Sequence, residues 1–311
     1  MEAFCWLKKL YLAINLMKSL QTVTAVILTY LLCFLTACSN ISTPPDDLGE
    51  NINEEDIYTF NVTNDWGRNA ICFENFDSSG LRIAVIDSTN YYNSENVTNY
   101  SVCNLIQEKS ALRHGSYIVS ALCSLLPNAE IICINVADEN NNITDTALAD
   151  GILYASNLKC DIINISLGTQ KNYQNVKYAV EKAIENECIV VAASGNESQT
   201  EIDFPAQYPD VISVMSRNID NIDDITNNVS ETKKSISAPG SIVFNDCYIF
   251  SGSSISTVYV VAEVAFIISN QPELKIPEVY SLLTESCVFS TKYSYGMINH
   301  RIIKENVSKE E

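Results

Sequence analysis

Two histidines, His114 and His300, are all that the 311-residue chain offers for acid–base work near neutral pH. His114 opens HGSYIV (114–119), after a polar stretch and before an apolar run with helical spacing. Asp87 closes LRIAVID (81–87), and Ser254 lies in SGSSIST (251–257), directly ahead of a long apolar segment. These three residue types have separate uses in acyl transfer. A serine hydroxyl becomes a competent nucleophile when a neighbouring imidazole takes its proton. The imidazole, with an ordinary pKa near ~6.5, can return that proton to a leaving amine. A carboxylate fixes the imidazole tautomer and stabilises the imidazolium that forms. Asn196, in AASGN (192–196), adds a side-chain amide that can face a developing oxyanion alongside the Ser254 backbone N–H. Taken singly, each residue also has a structural reading: Asp87 as a strand end, Asn196 as a turn former, Ser254 as a helix N-cap.

The elements that would have to position these groups are legible as alternation. LRIAVID (81–87), AEIICINVA (129–137), DIINISLG (161–168), CIVVAASGN (188–196) and DVISVMS (210–216) are apolar runs of strand length. Such near-continuous runs suit strands buried on both faces of a parallel sheet. Between them SYIVSALCSLL (116–126), TDTALADGILYASNL (144–158) and NVKYAVEKAIENE (175–187) have helical spacing, the second opened by Thr144 as a capping residue. Strand and helix in turn argue for one α/β domain with a mainly parallel sheet. Functional groups in such sheets gather at the carboxyl ends of the strands, where Asp87 and Asn196 fall. The polar stretch 218–234 reads as a surface loop, and His300 as a surface residue.

The local contexts, in their order, resemble the subtilisin-like serine peptidases, the subtilases. IAVIDST (83–89) is similar to their aspartate strand, HGSYIVS (114–120) to their histidine motif, and VVAASGNES (190–198) to their oxyanion asparagine segment. INISLG (163–168), FPAQYPDVISV (204–214), ISAPGSIV (236–243), SGSSIST and YGMIN (295–299) continue the series, so the likeness runs from about 65 to 303. It implies a three-layer fold with a mainly parallel central sheet flanked by helices. It also implies Asp87, His114 and Ser254 as the catalytic triad and Asn196 in the oxyanion hole. Ser254 is singled out over Ser251 and Ser253 because it follows the small residue after Gly252. Ser166, Leu167 and Gly168 would form one wall of the first specificity pocket, and Ala193, Ser194 and Gly195 the other. The loop DENNN (138–142) would border a more distant pocket, its Asp138 and Glu139 favouring a basic substrate residue. Thr89, Tyr117, Ser120 and Val258 depart from the family pattern, which keeps open a weak or inactive peptide-binding module beside an active enzyme. The resemblance allows structural calcium, which an Asp- and Asn-rich chain suits, without placing it. No cofactor is required for the chemistry.

The remaining sequence concerns where such a protein would work. Lys8, Lys9 and Lys18 precede the apolar stretch 23–35, and LTAC (35–38) follows. A basic region, a short apolar core and small residues make an export signal, and Leu35-Thr36-Ala37-Cys38 resembles a bacterial lipobox with Cys38 as the lipidated residue. The division expected is a lipoprotein-type signal peptide at 1–37, a tether at 38–64 and the peptidase domain at 65–311, exported and lipid-anchored on the outer face of the cell membrane. Segment 38–87 is shorter than the folded pro-domain that many subtilases carry. A formal charge of -19, from 38 acidic against 19 basic residues, excludes nucleic acid as a natural partner and favours basic substrates. The eleven cysteines include no C-x-x-C pair, so a thiolate zinc cluster is not indicated. The partner expected is therefore a peptide or protein substrate, with a lanthipeptide or other bacteriocin precursor the refinement that analogy suggests. A general degradative protease is the alternative.

Overall fold

The computed structural model describes residues 62–88, 97–101, 114–138, 142–244 and 248–308. The proposed signal, Cys38, most of the tether, Thr89 and residues 139–141 lie outside the described residues. Among the described residues, nine strands form the central sheet in the order β11-β12-β8-β7-β6-β5-β2-β4-β3. In chain order these are β2 (Arg82–Asp87), β3 (Val97–Ser101), β4 (Glu130–Asn135), β5 (Ile162–Ile165), β6 (Ile189–Ala193), β7 (Ile212–Arg217), β8 (Ser235–Pro239), β11 (Cys287–Val288) and β12 (Ser294–Ile298). Every pairing is parallel except that of β11 with β12, which is antiparallel. A second sheet joins β1 (Val62–Asn64), β9 (Ser241–Phe244) and β10 (Tyr248–Ser251), all antiparallel. The last residues expected in the tether thus belong to this small sheet.

Strands β2 and β4 to β8 bury both faces because their alternate side chains feed two different cores. On one side Ile83, Val85, Ile131, Cys133 and Ile162 pack with α2 (His114–Leu125), α5 (Ser253–Asn270) and the C-terminal helices α6 (Ile276–Glu285) and α7 (His300–Val307). On the other, Ala84, Ile86, Ile132, Ile134 and Ile163 pack with α3 (Asp145–Asn157) and α4 (Gln174–Glu185). The mainly parallel sheet is the one expected from the alternating sequence pattern, and helices on both its faces make the three layers that the resemblance implies. The short α1 (Trp66–Ala70) completes the set. Thr144 caps α3 by accepting from the Ala147 N–H, 3.1 Å, as its position ahead of the periodic segment predicts.

Helix α5 is apolar on every side because it runs through the larger core: Ile255 and Val258 to Val261 are fully buried. One carboxylate, Glu263, is buried there with it, and its partner is His300 on α7, Nδ1 to Oε2 2.8 Å. His300 is only 1% exposed, so its reading as a surface residue is corrected. The pair joins two helices 37 positions apart, with Phe73 and Phe266 against the imidazole. No local pattern around residue 300 signals it. Segment 218–234 is also only partly a surface loop: Asn227 and Asn228 are 3% and 0% exposed.

Candidate active site

Asp87 ends β2, which lies between β5 and β4 in the sheet, and is fully buried. Its carboxylate accepts from the Ser88 backbone N–H, 2.6 Å, and stands 2.9 Å from His114 Nδ1 through either oxygen. His114 is the first residue of α2, and its neighbour Gly115 donates its N–H to the Ser88 carbonyl, 2.8 Å. That bond ties the start of the helix to the end of the strand and sets the imidazole beside the acid. Burial pulls the imidazole pKa down, but the Asp87 charge and hydrogen bond together outweigh it, and the net direction is upward from 6.5. The Phe250 ring packs edge-to-face on the imidazole, centroids 5.1 Å apart, and stacks on Tyr117 at 4.8 Å. Tyr117, one of the departures from the family pattern, therefore supports an aromatic wall behind His114.

Ser254 sits in the first turn of α5. Gly252 precedes it at φ 125°, a left-handed conformation that favours glycine. A side chain there would also crowd the Asn196 amide at 3.2 Å. The four nearby serines separate cleanly. Ser253 and Ser256 are fully buried, the latter donating to the Ala238 and Pro239 carbonyls at 3.1 Å. Ser251 is exposed at the end of β10. Ser254 retains 7% exposure, and its hydroxyl donates to the Ser166 carbonyl, 3.3 Å. Among the described residues it makes no hydrogen bond to His114 in this conformer. Rotation about one side-chain bond is the motion available to redirect it.

Asn196 follows β6 and is exposed. Its side-chain oxygen accepts from the Ser253 N–H, 2.8 Å. That bond fixes the carboxamide, so the Nδ2 donors, which have no acceptor among the described residues, are held beside Ser254. The N-terminal end of α5 adds its own N–H groups and partial positive charge. An anion forming on a carbonyl attacked by Ser254 would meet both. Ser166 and Gly195 flank the same point. Ser166 is locked by Asn164, 3.1 Å, and Thr257, 3.0 Å. Leu167 and Gly168 extend from Ser166 and are half-buried and exposed, whereas Ala193, Ser194 and Gly195 are buried.

Other groups compete poorly for a chemical role. Burial pushes the Cys287 thiol up to about 12, leaving almost no thiolate at neutral pH. Among the described residues, Cys72, Cys160, Cys188 and Cys287 form no disulfide. Among the described residues no group of three His, Cys, Asp or Glu side chains converges as a metal site, so they supply no cluster for the calcium that the resemblance allows. One cation cradle is formed by backbone oxygens instead, and the chain fills it. Lys233 Nζ donates to the Ala206 and Val211 carbonyls at 2.7 Å and also to Tyr208 O.

Asp203 is a residue the sequence reading passed over. Its carboxylate lies between the Ser166–Gly168 and Ala193–Gly195 segments, accepting through Oδ1 from Gln170 and, at 3.2 Å, from Asn228. The available signal was its place directly before FPAQYPDVISV, a segment with a recognisable likeness of its own.

Comparisons with known proteins agree with this geometry. Residues 39–302 match the model of a family described as the subtilase family, Peptidase S8. Subtilisin DY of Bacillus licheniformis is 29% identical over 211 residues, covering 60% of this chain and 75% of that protein. Subtilisin NAT of Bacillus subtilis subsp. natto is 27% identical over 258 residues, 74% of this chain and 67% of that one. Among solved structures, the protease domain of PatA superposes with a TM-score of 0.66 at 21% identity, over 76% of this chain and 98% of that one. The prenylagaramide maturation protease PagA gives 0.62 at 21%, over 74% and 94%.

Proposed function

This chain belongs to the subtilase family and is a serine-type endopeptidase, and from that premise we propose that it is a tethered processing enzyme using Ser254, His114 and Asp87 as its triad. The observation that carries the assignment is the Asp87–His114 pair at 2.9 Å, placed at the sheet edge that also holds Ser254 and Asn196. In the reaction His114 Nε2 takes the Ser254 proton as Oγ attacks the scissile carbonyl. Asp87 keeps Nδ1 protonated and stabilises the imidazolium. Asn196 Nδ2 and the Ser254 N–H hold the oxyanion. His114 then protonates the leaving amine, and water, activated by the same imidazole, releases the acyl group. Ser166 to Gly168 and Ala193 to Gly195 bind the acyl side of an extended peptide by strand addition.

Two features support processing over general digestion. The basic, apolar and small-residue order ahead of Cys38 reads as an export and lipidation signal, which would confine the enzyme to the membrane's outer face. PagA is a prenylagaramide maturation protease, and precursor peptides are the substrate class proposed here. A bacteriocin-type precursor is the refinement offered. Calcium, where bound, would have a structural role. Incubation of the full chain with denatured casein and with leader-bearing precursor peptides tests the reading. A processing enzyme cuts the precursors at one junction and leaves casein mostly intact, and Ser254→Ala cuts neither substrate. Rapid digestion of casein to small fragments would overturn processing and leave a degradative protease.

A further inference from the structure

The slot beside Ser254 is built by adjacent strands that part at their carboxyl ends. Strands β5 and β6 pair up to Ile165 and Ala192, and beyond them residues 166–168 and 193–195 run on as two separate walls. The Ser254 hydroxyl touches the first wall at the Ser166 carbonyl, 3.3 Å, and Asn196 ties the end of the second to Ser253, 2.8 Å. The slot therefore opens directly at the nucleophile. Its floor is the dipeptide Asp203-Phe204. Asp203 N–H donates to Ser194 O, 3.0 Å, on one wall, and Phe204 exchanges backbone hydrogen bonds with Thr169, 2.8 and 3.0 Å, on the other.

The Asp203 side chain rises between the walls. A methyl group on Gly168 would lie 2.7 Å from Asp203 Oδ2, and one on Gly195 would lie 2.7 Å from the same oxygen. Both walls are glycine where the carboxylate passes. Asp203 is only 6% exposed, and its two described side-chain hydrogen bonds go to Oδ1. Oδ2 has no hydrogen-bond partner among the described residues. Oδ2 is not closed off from solvent, so a substrate side chain that displaces water from the slot must supply a donor to it or leave a carboxylate oxygen unmatched.

We propose that Asp203 determines specificity in this slot, and that the protein prefers substrates with arginine or lysine on the acyl side of the scissile bond. The inference rests on the peptidase reading above and adds the substrate class. An arginine or lysine stem would line the two walls while its charged end completes the Asp203 hydrogen bonding, a charge-assisted contact of the stronger kind. A leucine or phenylalanine in the same place would exclude water and leave the carboxylate buried alone. Burial raises the Asp203 pKa, the Gln170 bond opposes it, the Glu197 charge adds to it and Asn228 opposes it. The arrival of a cation would relieve both the desolvation and the Glu197 repulsion.

Peptide aminocoumarins that differ only in the residue before the cut, Arg, Lys, Leu or Phe, test this on the full chain. The expected result is a kcat/KM for Arg and Lys at least ~10²-fold above Leu and Phe, the scale on which a site with a buried polar partner rejects an unmatched analogue. Asp203→Asn should collapse that ratio to within about threefold by the same reasoning, with folding followed by circular dichroism. Preference for Leu or Phe in the wild type, or retention of the Arg preference in Asp203→Asn, would overturn the proposal. Fluorescence anisotropy of acyl-side peptides ending in Arg or Leu, bound to the Ser254→Ala protein, reads the pocket without turnover. Arg should bind tighter there, and equal affinities would sink the assignment. Failure of the wild type to cleave any peptide while Arg still binds tighter would instead count against the peptidase reading alone.

Discussion

At the scale of single residues, the His114 environment fixes a pH dependence. As general base the imidazole must be neutral, so activity rises with pH through its pKa, and that pKa is raised above 6.5 by Asp87 against the opposing effect of burial. The acid limb of kcat/KM should lie above 6.5 and move to lower pH in Asp87→Asn, with a loss in kcat of about 10⁴ from the wrong tautomer. An unmoved limb would detach the two residues from each other. The same shift has a stability sign. The charged pair contributes fully below the unfolded value of 6.5, and its contribution fades as pH rises through the folded pKa. Asn196→Ala should keep substrate binding and lower kcat by ~10²–10³-fold, the size known for a subtilisin oxyanion donor and not a figure derived from this geometry.

At the scale of elements, the site depends on how α5 is anchored. The helix brings Glu263 into the core fully buried, its pKa raised by burial against the hydrogen bond and charge of His300, and the link to α7 is its only described side-chain hydrogen bond. Glu263→Ala would leave the imidazole unmatched and should cost about 3–5 kcal/mol in chemical denaturation. Glu263→Gln, which keeps an acceptor of the same shape, should cost distinctly less. Equal losses would mean that packing matters there and the hydrogen bond does not. Legibility divides at this same scale. Strands β2, β4, β5, β6 and β7 and helices α2 to α4 were readable because both their faces or one regular stripe are apolar, a property carried by consecutive residues. Strand β1 was not, because it is three residues long and its partner β9 lies about 180 positions away. His300 was misread for a related reason: its environment is Glu263, Phe73 and Phe266, none of them near it in sequence. Asp203 escaped because an aspartate ahead of a proline loop looks like turn chemistry until the two glycine walls are seen on either side.

At the scale of the whole molecule, two cores clamp one sheet, and the sheet's edge collects groups from distant parts of the chain. The likeness to known motifs made the identity of Asp87, His114, Ser254 and Asn196 readable, because their local contexts are short and ordered. Their mutual geometry was not readable, and the outward turn of the Ser254 hydroxyl toward Ser166 could not be foreseen. The formal charge of -19 also acts at this scale by drawing basic peptides toward the cleft. Association of an Arg-containing substrate should therefore weaken as salt rises from low to physiological strength, more than that of a neutral one. A salt-independent ratio would confine the preference to Asp203 itself. The central claim, that one serine is activated by one imidazole across this edge, is tested most directly by mapping the adduct of a fluorophosphonate probe by mass spectrometry. The account predicts a single adduct on Ser254, formed in the folded wild type and abolished by His114→Ala. An adduct on any other residue, or undiminished labelling without His114, would contradict it.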